Sequence, residues 1–189
     1  VAPALGSRLS HWTGDDHARD EAQENLERTV EALAAAGVAA RGEVGADDPI
    51  QAALQGFSGF FCLNAAPARE VAPSILERAD LIVANSLELE ALGSSPMGTL
   101  FALTLGAEGA LLLDDGVEVA RAAPPLVEGV DGTAAGDAFT ACLVVSLLEG
   151  RDREEALRRA CAAGAIAASR LGAQPSLPTA AEVDAILAP

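Results

Sequence analysis

The stretch Gly129-Val130-Asp131-Gly132-Thr133-Ala134-Ala135-Gly136-Asp137-Ala138-Phe139 decides how this chain folds around its candidate site. Its small residues lead into an apolar run, Phe139–Glu149, which is long enough for about three helical turns. Because that run is apolar on nearly every side, it predicts a buried helix. Gly150 follows directly and is typical of a helix end.

Small residues at the start of a helix leave its first N–H groups uncovered. With the positive end of the helix dipole, those groups form a site for an anion such as phosphate. Asp137 falls in the first turn, where a carboxylate can accept a proton from an attacking hydroxyl or orient it. The alternative is a tight loop in which Asp137 caps the helix, and the short motif alone does not decide between the two.

Composition and charge narrow the classes of function. The chain has 189 residues, half of them hydrophobic, which indicates one globular domain or slightly more. The net charge of -16 argues against nucleic acids and anionic membranes as partners. All twelve basic residues are Arg, so a P-loop and a Schiff-base lysine are excluded.

The cysteines and the apolar runs indicate a cytoplasmic protein. Cys62, Cys142 and Cys161 are scattered and form no C-x-x-C pair, which predicts reduced thiols in the core. No apolar run reaches the roughly 18 residues of a membrane span. The first residues do not have the pattern of a secretory signal.

Strands and helices alternate along the chain. The predicted strands are Val1–Leu5, Val38–Val44, Phe57–Leu63, Asp80–Ala84, Thr99–Leu105, Ala110–Leu113 and Val117–Ala120. The predicted helices are Ala18–Ala36, Pro49–Gly56, Pro73–Arg78, Ser86–Leu92, Phe139–Glu149, Arg153–Ser169 and Thr179–Leu187. This order predicts an α/β fold: a three-layer sandwich of a mostly parallel sheet with helices on both faces.

Three polar or glycine-containing segments lie at the ends of predicted strands or after the loop that follows one. They are Asn85, Thr104–Gly106 and Asp131–Asp137. In sheets of this kind, binding sites lie at the carboxyl ends of the strands. The shared position favours one site over three unrelated turns.

These segments also carry a family resemblance. From about Gly59 to the C-terminus, the chain resembles the ribokinase family of phosphofructokinase-B carbohydrate kinases. The matching segments are Leu63–Ala68, Asn85–Glu88, Thr104–Gly109, Val130–Phe139 and Arg170–Ser176. Their order and spacing fit together over about 130 residues.

The resemblance implies a sugar kinase that uses ATP. Asp137 would be the catalytic base on a sugar hydroxymethyl group. The backbone N–H groups of Ala134, Ala135 and Gly136 would form the anion hole for the phosphate in transfer.

The resemblance also implies a nucleotide site. Asn85 and Glu88 match an Asn-x-x-Glu element that organises Mg²⁺ and phosphates. Thr104 and Gly106 would line the ATP site, and Cys161 would lie near the adenine.

A K⁺ site is implied as well, by a loop for a monovalent cation. Its residues would be Asp131, Thr133, Ala167, Arg170, Gly172 and Ser176. The simpler interpretation is that residues 170–176 only form a turn between two helices.

The sequence departs from the family pattern at several points. Gly132 replaces a Thr, and Ser86 replaces a Glu next to the metal element. Residues 1–58 do not match the family half that grips the sugar and forms its lid. They weakly resemble a βαβα segment of universal stress proteins, so we expect a chimera of residues 1–58, packed on the same sheet, and residues 59–189.

Three functions remain open on the sequence. The first is ATP-dependent phosphoryl transfer to a small sugar. The second is a nucleotide-binding or stress-related module without turnover, because the sugar half is not matched. The third is an α/β scaffold without a ligand. Bare apolar surface in place of a lid would favour a homo-oligomer.

Overall fold

The computed structural model describes Leu54 and residues 56–93 and 98–188. The chain divides into two units, Val1–Gly59 and Phe60–Pro189, and the elements below belong to the second. The predicted elements before Phe57 lie almost entirely outside the described residues. The same holds for the predicted packing of residues 1–58 on the sheet.

Five strands and five α-helices make up the described part of the second unit. The strands are β1 (Cys62–Asn64), β2 (Leu81–Asn85), β3 (Leu100–Thr104), β4 (Ala110–Asp114) and β5 (Val117–Ala122). The helices are α1 (Pro73–Arg78), α2 (Ser86–Leu92), α3 (Ala135–Leu148), α4 (Arg153–Ala168) and α5 (Ala180–Leu187). Short 3₁₀ turns cover Gly106–Glu108 and Gln174–Ser176.

The strands form one sheet in the order β1-β2-β3-β4-β5. The pairs β1–β2 and β2–β3 are parallel, whereas β3–β4 and β4–β5 are antiparallel. Only β4 is reversed, so four of these five strands run in the same direction. The predicted α/β fold with a mostly parallel sheet is confirmed.

The first strand of this sheet is shorter than predicted. The apolar run predicts a strand over Phe57–Leu63, but pairing begins at Cys62, opposite Leu81. Just before it, the Phe61 N–H donates to a carboxylate oxygen of Asp80 at 2.7 Å. That side-chain bond takes the place of a ladder bond, so apolar composition alone gave the wrong start.

The core lies between one face of the sheet and helices α3 and α4. Leu81, Val83, Ala102 and Leu112 alternate along their strands and pack with Phe139, Leu143, Leu157 and Ala160. Ile82 and Phe101 point the other way along the same strands and are also completely buried. Both faces are therefore covered, as in parallel sheets that lie between layers of helices.

Helix α3 is only half buried, contrary to the prediction of a buried helix. Its inner side packs closely on α4, since a Cβ at Gly164 would lie 3.2 Å from the carbonyl oxygen of Ala135. On its outer side, Val145 and Leu148 are more than half exposed. An apolar sequence indicates that a helix can be buried on every side, but it does not show that other elements pack against every side.

The described part of the chain contains no helix that is both long enough and apolar enough to cross a membrane. All three thiols are free, as predicted, and Cys161 is buried. Burial raises the pKa of Cys62 to about 12 and that of Cys161 to about 11. These thiols therefore stay protonated at neutral pH.

Gly109, after the turn between β3 and β4, allows a direct test of the fold. Its φ is +99°, and an added Cβ would lie 2.0 Å from the carbonyl oxygen of Ala122. We expect Gly109→Ala to lower the free energy of unfolding by about 2–4 kcal/mol, from backbone strain and steric clash together. Urea denaturation followed by circular dichroism measures this.

Gly116→Ala is the matched control for this test. Gly116 also has a positive φ, of +75°, but an added Cβ would meet no atom within 4 Å. Only the backbone strain remains there, and we expect a loss of about 1 kcal/mol. Equal losses in the two variants would contradict the steric argument.

Candidate functional site

The candidate site residues lie along one edge of the sheet. The register places Asn85, Thr104, Ala110 and Ala122 in one row across four strands. Because β2, β3 and β5 run in the same direction, this edge carries their carboxyl ends. The chain leaves β5 at this edge and continues through Asp131 to α3, as expected for sites in such folds.

An open pocket of about 360 Å³ lies at this edge. It is lined by Asn85, Ser86, Leu87, Thr104, Leu105, Gly106 and Glu108. The structure therefore brings together Asn85, Thr104 and Gly106, three of the residues predicted for the nucleotide. Glu88 and Cys161 are not part of its lining.

Asn85 and Glu88 have a structural role that the sequence interpretation missed. The Asn85 side chain accepts a hydrogen bond from the Glu88 N–H at 2.9 Å, and a Glu88 carboxylate oxygen accepts one from the Asn85 N–H at 2.8 Å. These two bonds form a capping box at the start of α2. The Asn-x-x-Glu spacing is itself the signal for such a box. Glu88 is 9% exposed, and its other oxygen, Oε1, has no donor among the described residues.

The start of α3 has the geometry of an anion site. Ala134 is the N-cap, with φ 64° and no side-chain cap. The Ala135 N–H donates to the Gly132 carbonyl at 3.2 Å, so one of the three predicted anion-hole donors is already bonded. The N–H groups of Ala134, Gly136 and Asp137 have no acceptor within the described part of the chain.

The space next to this helix start is open. A Cβ added at Gly136 would meet no atom within 4 Å. Asp137 is exposed in the first helical turn, and its carboxylate makes no hydrogen bond to the described residues. The alternative in which Asp137 caps the helix is not supported, because the N-cap is Ala134.

Asp131 connects the segment before α3 with the segment after α4. One of its carboxylate oxygens accepts from the Thr133 hydroxyl at 2.6 Å and the Thr133 N–H at 2.9 Å. The other accepts from the Gly172 N–H at 2.9 Å. The Thr133 hydroxyl and then the Gly172 and Thr133 amides lower the pKa of Asp131, so the carboxylate stays ionised at neutral pH.

The residues predicted for K⁺ lie in these two connected segments and, for Ala167, in the last turn of α4. The Ala167 carbonyl accepts from the Arg170 N–H at 3.1 Å. The buried Ser176 donates its hydroxyl to the Ala173 carbonyl at 2.6 Å. The available donors are carboxylate, carbonyl and hydroxyl oxygens, which suit a hard cation. No group of three or more His, Cys, Asp or Glu side chains in the described ranges could hold a metal ion, and the K⁺ assignment stays a prediction.

Cys161 lies in the core rather than in the open pocket. Its side chain belongs to the cluster between the sheet and helices α3 and α4. The thiol lies 3.6 Å from the carbonyl oxygen of Ala122, its hydrogen-bond acceptor. Its predicted place near an adenine stays a prediction.

Comparison with known proteins gives a family. The model of the pfkB family carbohydrate kinases matches residues 50–180, beginning before Gly59, where the sequence interpretation placed the start. The ribokinase of Bacillus subtilis (strain 168) is 37% identical over an alignment of 135 residues, and the match covers 66% of this chain and 45% of that protein. The chain thus spans about half the length of the curated relatives it matches.

Solved structures agree with this similarity. The ribokinase of Thermotoga maritima superposes with a TM-score of 0.64 at 33% identity, over 72% of this chain and 51% of that one. The Arabidopsis thaliana ribokinase complexed with ribose and ATP has a TM-score of 0.63 at 26% identity, over 73% and 50%. The stress-protein resemblance of residues 1–58 stays a prediction.

Two substitutions at Asn85 test its role as the cap of α2. We expect Asn85→Ala to lower the free energy of unfolding by about 1 kcal/mol, because α2 loses its cap. Asn85→Asp keeps an acceptor oxygen at the same place, so its stability should match the wild type within a few tenths of a kcal/mol. Urea denaturation checks both, and equal losses would show that the cap contributes nothing.

Proposed function

Because the chain belongs to the pfkB family of carbohydrate kinases, we propose that it transfers a phosphoryl group from ATP to a hydroxymethyl group of a sugar. The observation that carries this proposal is the start of α3. There, a carboxylate on Asp137 and N–H groups that have no partner among the described residues stand in the same helical turn, next to open space at Gly136. This combination supplies a base and an anion site together.

Each step of the phosphoryl transfer would use a different group at the start of α3. The N–H groups of Gly136 and Asp137, with the helix dipole, hold the negative charge of the phosphate in transfer. The Asp137 carboxylate accepts the proton of the sugar hydroxyl as its oxygen attacks phosphorus. The bond from that phosphorus to the bridging oxygen of ADP breaks, and ADP leaves.

The open pocket at the ends of β2 and β3 is the proposed nucleotide site. Asn85, Thr104 and Gly106 line it, on the same sheet edge from which the chain continues to α3. The presence of ATP in the similar Arabidopsis ribokinase structure supports a nucleotide as the ligand. Mg²⁺ held by the phosphates would neutralise their charge, with Glu88 as the nearby carboxylate through its second oxygen.

The K⁺ assignment is also part of the proposal. Asp131 stays ionised, and carbonyl and hydroxyl oxygens lie in the segment that it contacts through Gly172. A monovalent cation there would be held by Asp131 and by oxygens of residues 167–176. The free thiols support a reducing, cytoplasmic location.

Asp137→Asn tests the base. The amide cannot take up a proton, so we expect kcat for ADP release with ribose to fall by about 10²–10⁴-fold. The affinity for ATP, from calorimetric titration with Mg²⁺ and K⁺, should stay within about 3-fold, which is 0.6 kcal/mol. A wild type that binds ATP without turnover would instead support the nucleotide-binding module.

Gly136→Val tests the anion site. A valine side chain would occupy the open space where we place the phosphate, so the affinity for ATP should fall at least about 10-fold, or 1.4 kcal/mol. The melting temperature should change little, because no atom of the described residues lies within 4 Å of the added Cβ. Gly129→Val is the control, since an added Cβ there also meets nothing within 4 Å. Equal ATP affinities in the two variants would contradict the site.

A further inference from the structure

The proposed anion site begins at a strained residue. Ala134 has φ 64° and ψ 2°, in the left-handed region that disfavours residues with a side chain. Such a conformation persists only where the surrounding contacts impose it. The contacts that impose it here are therefore part of the site.

The nearest of these contacts come from Asp131. Its carboxylate binds both the N–H and the hydroxyl of Thr133, the residue before Ala134. The N–H groups of Val130 and Asp131 also donate to the Ala168 carbonyl, at 2.8 and 3.0 Å. The segment before α3 is thus held against the end of α4.

The segment after α4 is in turn held by an ion pair. An Arg170 guanidinium nitrogen lies 2.5 Å from one Glu182 carboxylate oxygen. The other Glu182 oxygen accepts from the Thr179 N–H at 2.8 Å and hydroxyl at 2.9 Å, in the capping box of α5. Two residues after Arg170, the Gly172 N–H donates to Asp131.

These contacts form one continuous chain from α5 to the start of α3. We propose that Arg170 and Glu182 are positioning residues, which act through Gly172 and Asp131 to hold Ala134 and the N–H groups of Gly136 and Asp137 in place for phosphoryl transfer. This inference rests on the proposed function of the same site. Neither side chain would touch the phosphate.

The charge states of the groups support this arrangement. The Thr179 amide, the Arg170 guanidinium and the Thr179 hydroxyl lower the pKa of Glu182 to about 2. Glu182 and Asp131 are therefore both ionised at neutral pH, and each carboxylate bridges two segments.

The chain offers a matched control on the same two helices. Arg159 of α4 pairs with Asp184 of α5, and within the described part of the chain neither side chain makes a hydrogen bond or ion pair with residues 130–137. Asp184→Asn therefore loosens the contact between α4 and α5 without breaking the connection to Asp131. Arg170→Met removes the ion pair and leaves the α5 capping box intact, and Glu182→Gln also keeps it, because Gln serves at that position.

The test is steady-state ADP release with ribose, on the 189-residue chain. We expect Arg170→Met and Glu182→Gln each to lower kcat about 10-fold, with KM for ATP within about 2-fold. The double variant should be no slower than the single ones, because both break the same connection. Arg170→Lys should recover part of kcat, and Asp184→Asn should stay within about 2-fold of the wild type. A kcat in Arg170→Met within 2-fold of the wild type would overturn the inference.

A second measurement does not depend on activity. Amide hydrogen exchange in residues 130–137 should speed up in Arg170→Met but not in Asp184→Asn, since only the first frees the segment. If the wild type shows no phosphoryl transfer, the proposed function fails, and this measurement then decides on the connection alone. Unchanged exchange in Arg170→Met would in that case overturn it.

Discussion

The Asp131 carboxylate is the group on which the geometry of the candidate site depends. It binds Thr133 with one oxygen and Gly172 with the other, although 41 positions separate Asp131 from Gly172 in the sequence. A carboxylate can satisfy several donors at once, and hydrogen bonds to an ionised acceptor are stronger than those between neutral groups. One side chain thereby fixes the position of the start of α3 relative to the loop after α4.

The hydrogen bond from Gly172 to Asp131 can form only because α3 and α4 already lie close together. A Cβ added at Gly164 would lie only 3.2 Å from the carbonyl oxygen of Ala135, so a side chain there would need a shift of a few tenths of an ångström. The neighbouring residues of α4 are mostly buried alanines. Small residues let the backbones approach, so the end of α4 can accept two N–H groups from the chain before α3. The small residues that let α3 and α4 pack closely thus also place the polar N–H groups of the chain before α3.

The sequence predicted those features that depend on local signals. Helices Pro73–Arg78 and Ser86–Leu92 have the predicted bounds, and a proline begins the first. The Asn-x-x-Glu capping box that begins the second is also a local signal, although the sequence interpretation assigned that spacing only to a metal and phosphate element. The predicted box between Thr179 and Glu182 is confirmed. Asn85, Thr104 and Gly106 come together because the parallel strands before them end at one edge.

Features that depend on contacts between residues far apart in the chain could not be predicted from the sequence. The late start of β1 depends on the Asp80 side chain, and the exposed side of α3 depends on which elements pack against it. The left-handed Ala134 could not be foreseen, because alanine has no local preference for it and distant residues impose it. The ion pair between Arg170 and Glu182 depends on the docking of α5, which no motif encodes.

The negative charge of the chain makes the N–H groups at the start of α3 important for the proposed binding of phosphate. A protein with a net charge of -16 and no lysine repels a nucleotide at long range. Among the residues that the structure describes, no basic side chain lines the pocket at the ends of β2 and β3. In the proposed function, attraction to phosphate would come from short-range sources, namely uncovered N–H groups, a helix dipole and bound cations. Such groups act only when their positions are fixed to within a fraction of an ångström. In the proposed arrangement, Arg170 therefore acts by holding the loop in place and not by attracting the phosphate with its own charge.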